Sequence, residues 1–119
     1  CLLESAAAGE MRAVTGALDT IMAGLACGEP SLLAWQELER AAFAFMAVPD
    51  SAVAPAMRAL HARGIEAGES AVAGLIAFES AMADVSARAM LGLDADSRVL
   101  VFGTEGATDP ALYAELKGG

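Results

Sequence analysis

Arg98-Val99-Leu100-Val101-Phe102 is the stretch on which the fold reading turns. The run is short, apolar and carries two β-branched residues. That is the pattern of a strand buried on both faces. It leads into Gly103-Thr104-Glu105-Gly106, a loop, and Asp109-Pro110 then opens a helix with Asp as N-cap and Pro at the first position. A buried strand followed by a helix predicts an α/β fold, with helices packed around a few short parallel strands.

Outward from this stretch the chain alternates in the same way. Residues 1–10 read as a helix, and Arg12-Ala13-Val14-Thr15 as a weak strand ended by Gly16. Asp19 can cap a short helix over 20–26, because its carboxylate can accept from first-turn amides. Gly28-Glu29-Pro30 is a turn. Ser31 caps a helix whose Leu32, Trp35, Leu38 and Ala42 share one face. Ala44 to Val48 is a buried-strand candidate, equally consistent with a helix end. Asp50 caps a helix carrying Val53, Ala56, Met57 and Leu60, stopped by Gly64. Gly64 to Gly68 reads as a short strand or loop. Ser70 caps a helix with Val72, Leu75, Ile76 and Ala83, and a further helix runs over 86–91.

Composition narrows the function classes. Seven cationic against 16 anionic side chains give a net charge of −9, which excludes the clustered Lys and Arg of a nucleic-acid binder or a polybasic membrane surface. No run of apolar residues is long enough to span a bilayer, and no secretory signal pattern is present, so a cytoplasmic protein is expected. Hydrophobic residues make up 56% of the chain, too many for disorder, but 29 of them are alanine. Alanine buries little area, so the core of a free-standing domain would be thin. The opening Cys1-Leu2-Leu3-Glu4 looks like mid-helix, which predicts a piece of something larger.

Cys1 and Cys27 are too few for a disulfide framework, and their spacing fits no zinc site, so no metal is expected. Two reduced thiols and a disulfide are both open readings. A bridge closing that loop would stabilise by roughly 3 kcal/mol if unstrained. His61, the sole histidine, falls beside Arg58 and Arg63 and reads as a solvated surface residue.

Two segments carry candidate chemistry. Ala67-Gly68-Glu69-Ser70-Ala71-Val72-Ala73-Gly74-Leu75 puts a carboxylate and a hydroxyl at a helix entrance, where free amides favour anions and small residues admit a flat group. Val101 to Pro110 puts the Thr104 hydroxyl just past a strand end, where open α/β sheets bind ligands. An ordinary Ser N-cap and a plain connector explain the same spacing equally well.

Taken with Thr20-Ile21-Met22-Ala23-Gly24-Leu25-Ala26-Cys27-Gly28-Glu29-Pro30, the segments "AGESAVAGL" and "TEGATDP" are together similar to the C-terminal part of the diaminopropionate ammonia-lyase family. The resemblance runs over nearly all of residues 1–119. It implies the large domain of a fold-type II pyridoxal-phosphate enzyme, the tryptophan-synthase β-subunit fold. It implies a lyase converting 2,3-diaminopropionate to pyruvate and ammonia by α,β-elimination, homodimeric, with pyridoxal 5'-phosphate as cofactor and a small amino acid as substrate. Glu69, Ser70, Gly103 and Thr104 would contact the cofactor. Thr104 matches the hydroxyl that meets the pyridine nitrogen, and Glu69 a position beside the ring. Cys1 and Cys27 match cysteines that can pair near the active site.

A neutral hydroxyl leaves the pyridine nitrogen largely unprotonated, a weaker electron sink than a carboxylate partner would give, and elimination of a β-amino group tolerates that. The departures from the family pattern are equally specific. The cofactor needs a lysine for its Schiff base, and Lys117, the sole lysine, matches no catalytic position. The phosphate-binding and substrate-carboxylate loops have no counterpart here; in the family they precede the residue matching Cys1. The chain by itself is therefore expected to be inactive. The competing readings are a serine or threonine dehydratase of the same fold, and a non-enzymatic helical interaction module.

Overall fold

The computed structural model describes residues 1–118 and divides into two compact units, Cys1–Ala47 and Val48–Gly119. Its regular elements are all helical. In the first unit, α1 spans Leu2–Ala8 and α2 spans Leu32–Ala41, with a 3-10 turn at Ala23–Leu25 between them. In the second, a 3-10 turn at Asp50–Ala52 leads into α3 (Val53–His61). Then follow α4 (Ala73–Ala83), α5 (Val85–Met90) and α6 (Pro110–Lys117).

The first unit is held by a few anchors. Gly9, in the left-handed region at φ 70°, closes α1. Ser5 is fully buried; its hydroxyl oxygen accepts from the Arg12 amide at 2.8 Å, which folds the following chain back onto α1. The Val14 amide reaches the Gly28 carbonyl at 2.8 Å. Ser31 accepts from the Ala34 amide and caps α2 as its sequence predicts. Trp35 is the buried residue of that helix, with the Phe45 ring 6.5 Å away centroid to centroid.

The second unit has the larger core: Val53, Ala56 and Met57 of α3, Ala67, Ala71 and Val72 of the turn before α4, Ile76 and Ala81 of α4, and Tyr113 of α6. Helix α3 packs on both α4 and α6. Burying Met57, Val53 or Val72 is worth about 1.5–3 kcal/mol each relative to exposure, whereas the alanines add much less. Two polar contacts tie α6 to α3. The Arg58 guanidinium donates to the Leu116 carbonyl at 3.1 Å, and the Tyr113 hydroxyl meets His61 Nδ1 at 3.2 Å. His61 is solvent-exposed, as expected, but it is also a bridging residue.

The expected α/β fold is wrong: among the described residues there is no strand and no sheet. Residues 12–15, 44–48, 64–68 and 98–102 were the strand candidates, and all four are irregular. A parallel strand exists only as part of a ladder in which successive amides and carbonyls are paired. Here the Val14–Gly28 bond and a Gly68–Glu105 bond are isolated, and residues 98–102 contribute no cross-segment backbone pair. An apolar, β-branched pattern makes a run fit a sheet but supplies no partner. The run 98–102 lies exposed, Leu100 at 77% and Phe102 at 76%.

Some helix starts also move. Asp50 sits inside a 3-10 turn rather than capping α3, whose N-cap position is Ala52. The helix expected from Ser70 begins only at Ala73. The helix expected over 20–26 shrinks to the 3-10 turn at Ala23–Leu25.

Candidate functional site

Residues 66–74 and 101–108 are at least 27 positions apart in sequence, yet the structure lays them against each other within the second unit. The Gly68 amide donates to the Glu105 carbonyl at 3.0 Å. The Ser70 amide donates to Glu105 Oε2 at 2.9 Å, and the Ala107 amide to Glu66 Oε1 at 3.2 Å. A Cβ placed on Gly103 would lie 4.0 Å from that of Ala71, and one on Gly74 would lie 3.0 Å from Val101 Cγ1. Each segment lends the other a carboxylate that takes up an amide.

Gly68 is required by space. A Cβ there would run into the Gly106 carbonyl oxygen and come within 2.9 Å of Glu105 Cγ and Oε2. The turn over residues 69–72 then carries Glu69 and Ser70 into the unit before α4 begins. Ser70 is half-buried. The amides at this helix entrance looked free for an anion, but Glu105 already takes that of Ser70.

The four sequence-derived site residues differ in environment. Glu69 is 4% exposed, and no buried side-chain oxygen or nitrogen among the described residues is left without a hydrogen-bond partner. Gly103 and Thr104 are exposed, and the Thr104 hydroxyl has no partner among the described residues. Gly103 and Ala71 are close neighbours with no bulky side chain between them. A flat ring fits such a surface: glycine and alanine offer contact without obstruction, and an exposed hydroxyl can meet a ring nitrogen.

An aldehyde cofactor's other requirements are not met by these residues. Lys117 sits at the end of α6 with its ammonium 5.8 Å from the centre of the Tyr113 ring, engaged as a cation over an aromatic face. Cys1 and Cys27 both belong to the first unit and stand as free thiols, Cys27 exposed and Cys1 half-buried. No group of three or more metal-ligating side chains occurs among the described residues. No helix there is long and apolar enough to cross a membrane.

Sequence reading missed Glu66 and Glu105 as working residues. Both lie inside or beside the motifs that drew attention, but their partners are 41 and 35 residues away. Only the glycines flanking them, Gly68 and Gly106, hinted at a close backbone approach.

No family model and no solved structure matches the chain. Among curated proteins, the diaminopropionate ammonia-lyase of Escherichia coli K12 is 37% identical over 124 aligned residues, and that of Salmonella typhimurium LT2 is 35% identical over 127. Each alignment takes in 98% of this chain and 31% of the relative. Along nearly its whole length, then, the chain is a sequence relative of the diaminopropionate ammonia-lyases and spans about a third of their length.

Proposed function

We propose that this chain forms one side of the cofactor pocket of a pyridoxal-phosphate-dependent ammonia-lyase. The reaction is α,β-elimination from 2,3-diaminopropionate, which with one water gives pyruvate and two molecules of ammonia. The observation that carries the reading is 37% identity over 98% of the chain to an enzyme of that name. The clustering of Glu69, Ser70, Gly103 and Thr104 supports it, because a buried carboxylate and a free hydroxyl lie on two segments that touch. When bound, the cofactor supplies an electron-withdrawing ring that eases loss of the substrate's α-proton.

The chain's own residues would bind and orient that ring. Thr104 would meet the pyridine nitrogen through its neutral hydroxyl, keeping the ring a moderate electron sink. Glu69 would sit beside the ring and take up a donor from it or from the substrate. Gly103 and Ala71 would let the ring approach the backbone. The Schiff-base lysine and the phosphate site would come from other parts of a longer protein. That protein would be a cytoplasmic homodimer acting on a small amino acid.

The test is pyruvate release, followed by coupling to lactate dehydrogenase, from the full-length protein loaded with pyridoxal phosphate. 2,3-Diaminopropionate is expected to be turned over and serine to be a poor substrate. Preference for serine would move the protein to the dehydratases. The 119-residue chain alone is expected to release no pyruvate, since Lys117 does not join the clustered residues. Turnover by it would overturn this division of labour.

A further inference from the structure

Glu105 stands between the two segments of the site, and nothing in the elimination chemistry calls for it. Its main-chain carbonyl accepts from the Gly68 amide at 3.0 Å. Its Oε2 accepts from the Ser70 amide at 2.9 Å, and its Oε1 from the Thr108 hydroxyl at 3.2 Å. Both carboxylate oxygens and the carbonyl are thus committed. Helix α4 has no side-chain cap of its own, its N-cap position being Val72. From 35 residues away Glu105 instead holds the turn that precedes this position, its carboxylate accepting from the Ser70 amide. Glu66 makes the return bond to the Ala107 amide at 3.2 Å. Close approach at Gly68 lets the clamp shut.

We propose that Glu105 is the positioning residue of the cofactor site. Its carboxylate, bonded to the Ser70 amide and the Thr108 hydroxyl, fixes the turn carrying Glu69 and Ser70 beside Gly103 and Thr104. Glu105 need not touch the cofactor. It sets the distance between the buried Glu69 and the exposed hydroxyl, which lie on different segments. The inference rests on the cofactor reading above.

The experiment compares Glu105→Gln, Glu105→Asp and Glu105→Ala in the full-length protein. Two quantities are read: exchange of the Ser70 amide hydrogen in the cofactor-free protein, and the dissociation constant of pyridoxal phosphate from spectral titration. Glutamine keeps a carbonyl oxygen at the same reach, so it should hold both quantities within about threefold of the parent. Aspartate is one methylene short and should behave like alanine. Both should speed Ser70 exchange and weaken cofactor binding by about tenfold or more, the scale of a lost hydrogen bond to a charged group. A purely structural carboxylate would lower the melting temperature in all three without separating glutamine from aspartate.

Unchanged Ser70 exchange in Glu105→Asp would overturn the clamp. Faster exchange with parental cofactor affinity would overturn its positioning role. Failure of the parent protein itself to bind pyridoxal phosphate would overturn the cofactor reading, a result distinct from either. Should Glu105→Ala not fold, the Gln–Asp pair decides the matter.

Discussion

Gly68 is the tightest point of the site, and its substitution gives a sharp test at the residue scale. Alanine there would drive a methyl into the Gly106 carbonyl and the Glu105 side chain. Backbone cannot yield as a flexible side chain tip can, so Gly68→Ala should destabilise the second unit by about 1–3 kcal/mol in urea denaturation. Gly64→Ala meets no atom within 4 Å but sits at φ 75°, so its cost should be backbone strain alone, about 1 kcal/mol. Asp94 offers a separate, pH-dependent test. Its carboxyl lies below the ordinary aspartate value of 3.8, first because the Ser97 hydroxyl donates to it and then because the Asp96 amide does. A lowered carboxyl stabilises the turn at all pH values above 3.8 and loses that contribution as pH falls through the lowered value. Amide signals of Asp96 and Ser97 should therefore titrate with a midpoint below the ordinary 3.8, in an NMR titration. At the residue scale the sequence carries what is local, such as the small residues on either side of Glu69 and Ser70. It does not reach the role of Glu105, whose partner lies 35 positions away and whose sole local sign is Gly106 beside it.

Among the elements, the caps at Ser31 and Asp109 were legible, those expected at Asp50 and Ser70 were not, and neither were the strands. Asp109 accepts from the Ala111 and Leu112 amides, both at 3.0 Å, with Pro110 at the first helical position, as the Asp-Pro pair predicts. Ser31 behaves likewise at α2. Asp84, unnoticed in the sequence, caps α5 through the Ala87 amide at 2.6 Å. A cap is settled within four residues, so the sequence window contains the whole interaction. A strand is settled by a second strand, and residues 98–102 show the pattern without one. Ser70 misled for a related reason: the turn before α4 is held by Glu105 rather than from its own start. Since α6 is eight residues long, its stability depends on its cap and on its contact with α3. Asp109→Ala should cost about 1 kcal/mol by thermal denaturation. Tyr113→Phe keeps the buried ring but removes the bond to His61, and should cost about 0.5–1.5 kcal/mol. Similar losses from His61→Ala and Tyr113→Phe, with no further loss in the double variant, would mark the pair as one interaction.

For the whole molecule the governing quantity is area. A compact folded chain of 12.0 kDa exposes roughly 6,000 Å² of surface, whereas this one exposes 7849 Å². Counting the two units as separate bodies of about 4.7 and 7.3 kDa raises the expected area only to roughly 7,200 Å². The chain therefore keeps more surface in water than two separate bodies of these sizes require, and much of it is apolar: Leu33 and Phe43 in the first unit, Val85, Met90, Leu100 and Phe102 in the second. Exposed apolar surface of this kind is what a partner surface or another chain covers. Net charge of −9 opposes association at low ionic strength, but added salt screens it over a Debye length of about 10 Å at 0.1 M. Salt leaves the apolar attraction in place. The 119-residue chain expressed by itself should therefore bind an environment-sensitive dye such as ANS and should self-associate as salt is raised, in light scattering. Replacing Leu100 and Phe102 together by serine should lessen both, since neither side chain is buried in the described core. A dye-negative, monodisperse monomer at 0.5 M salt would mean that these faces are satisfied within the chain, and that its thin alanine-rich core suffices.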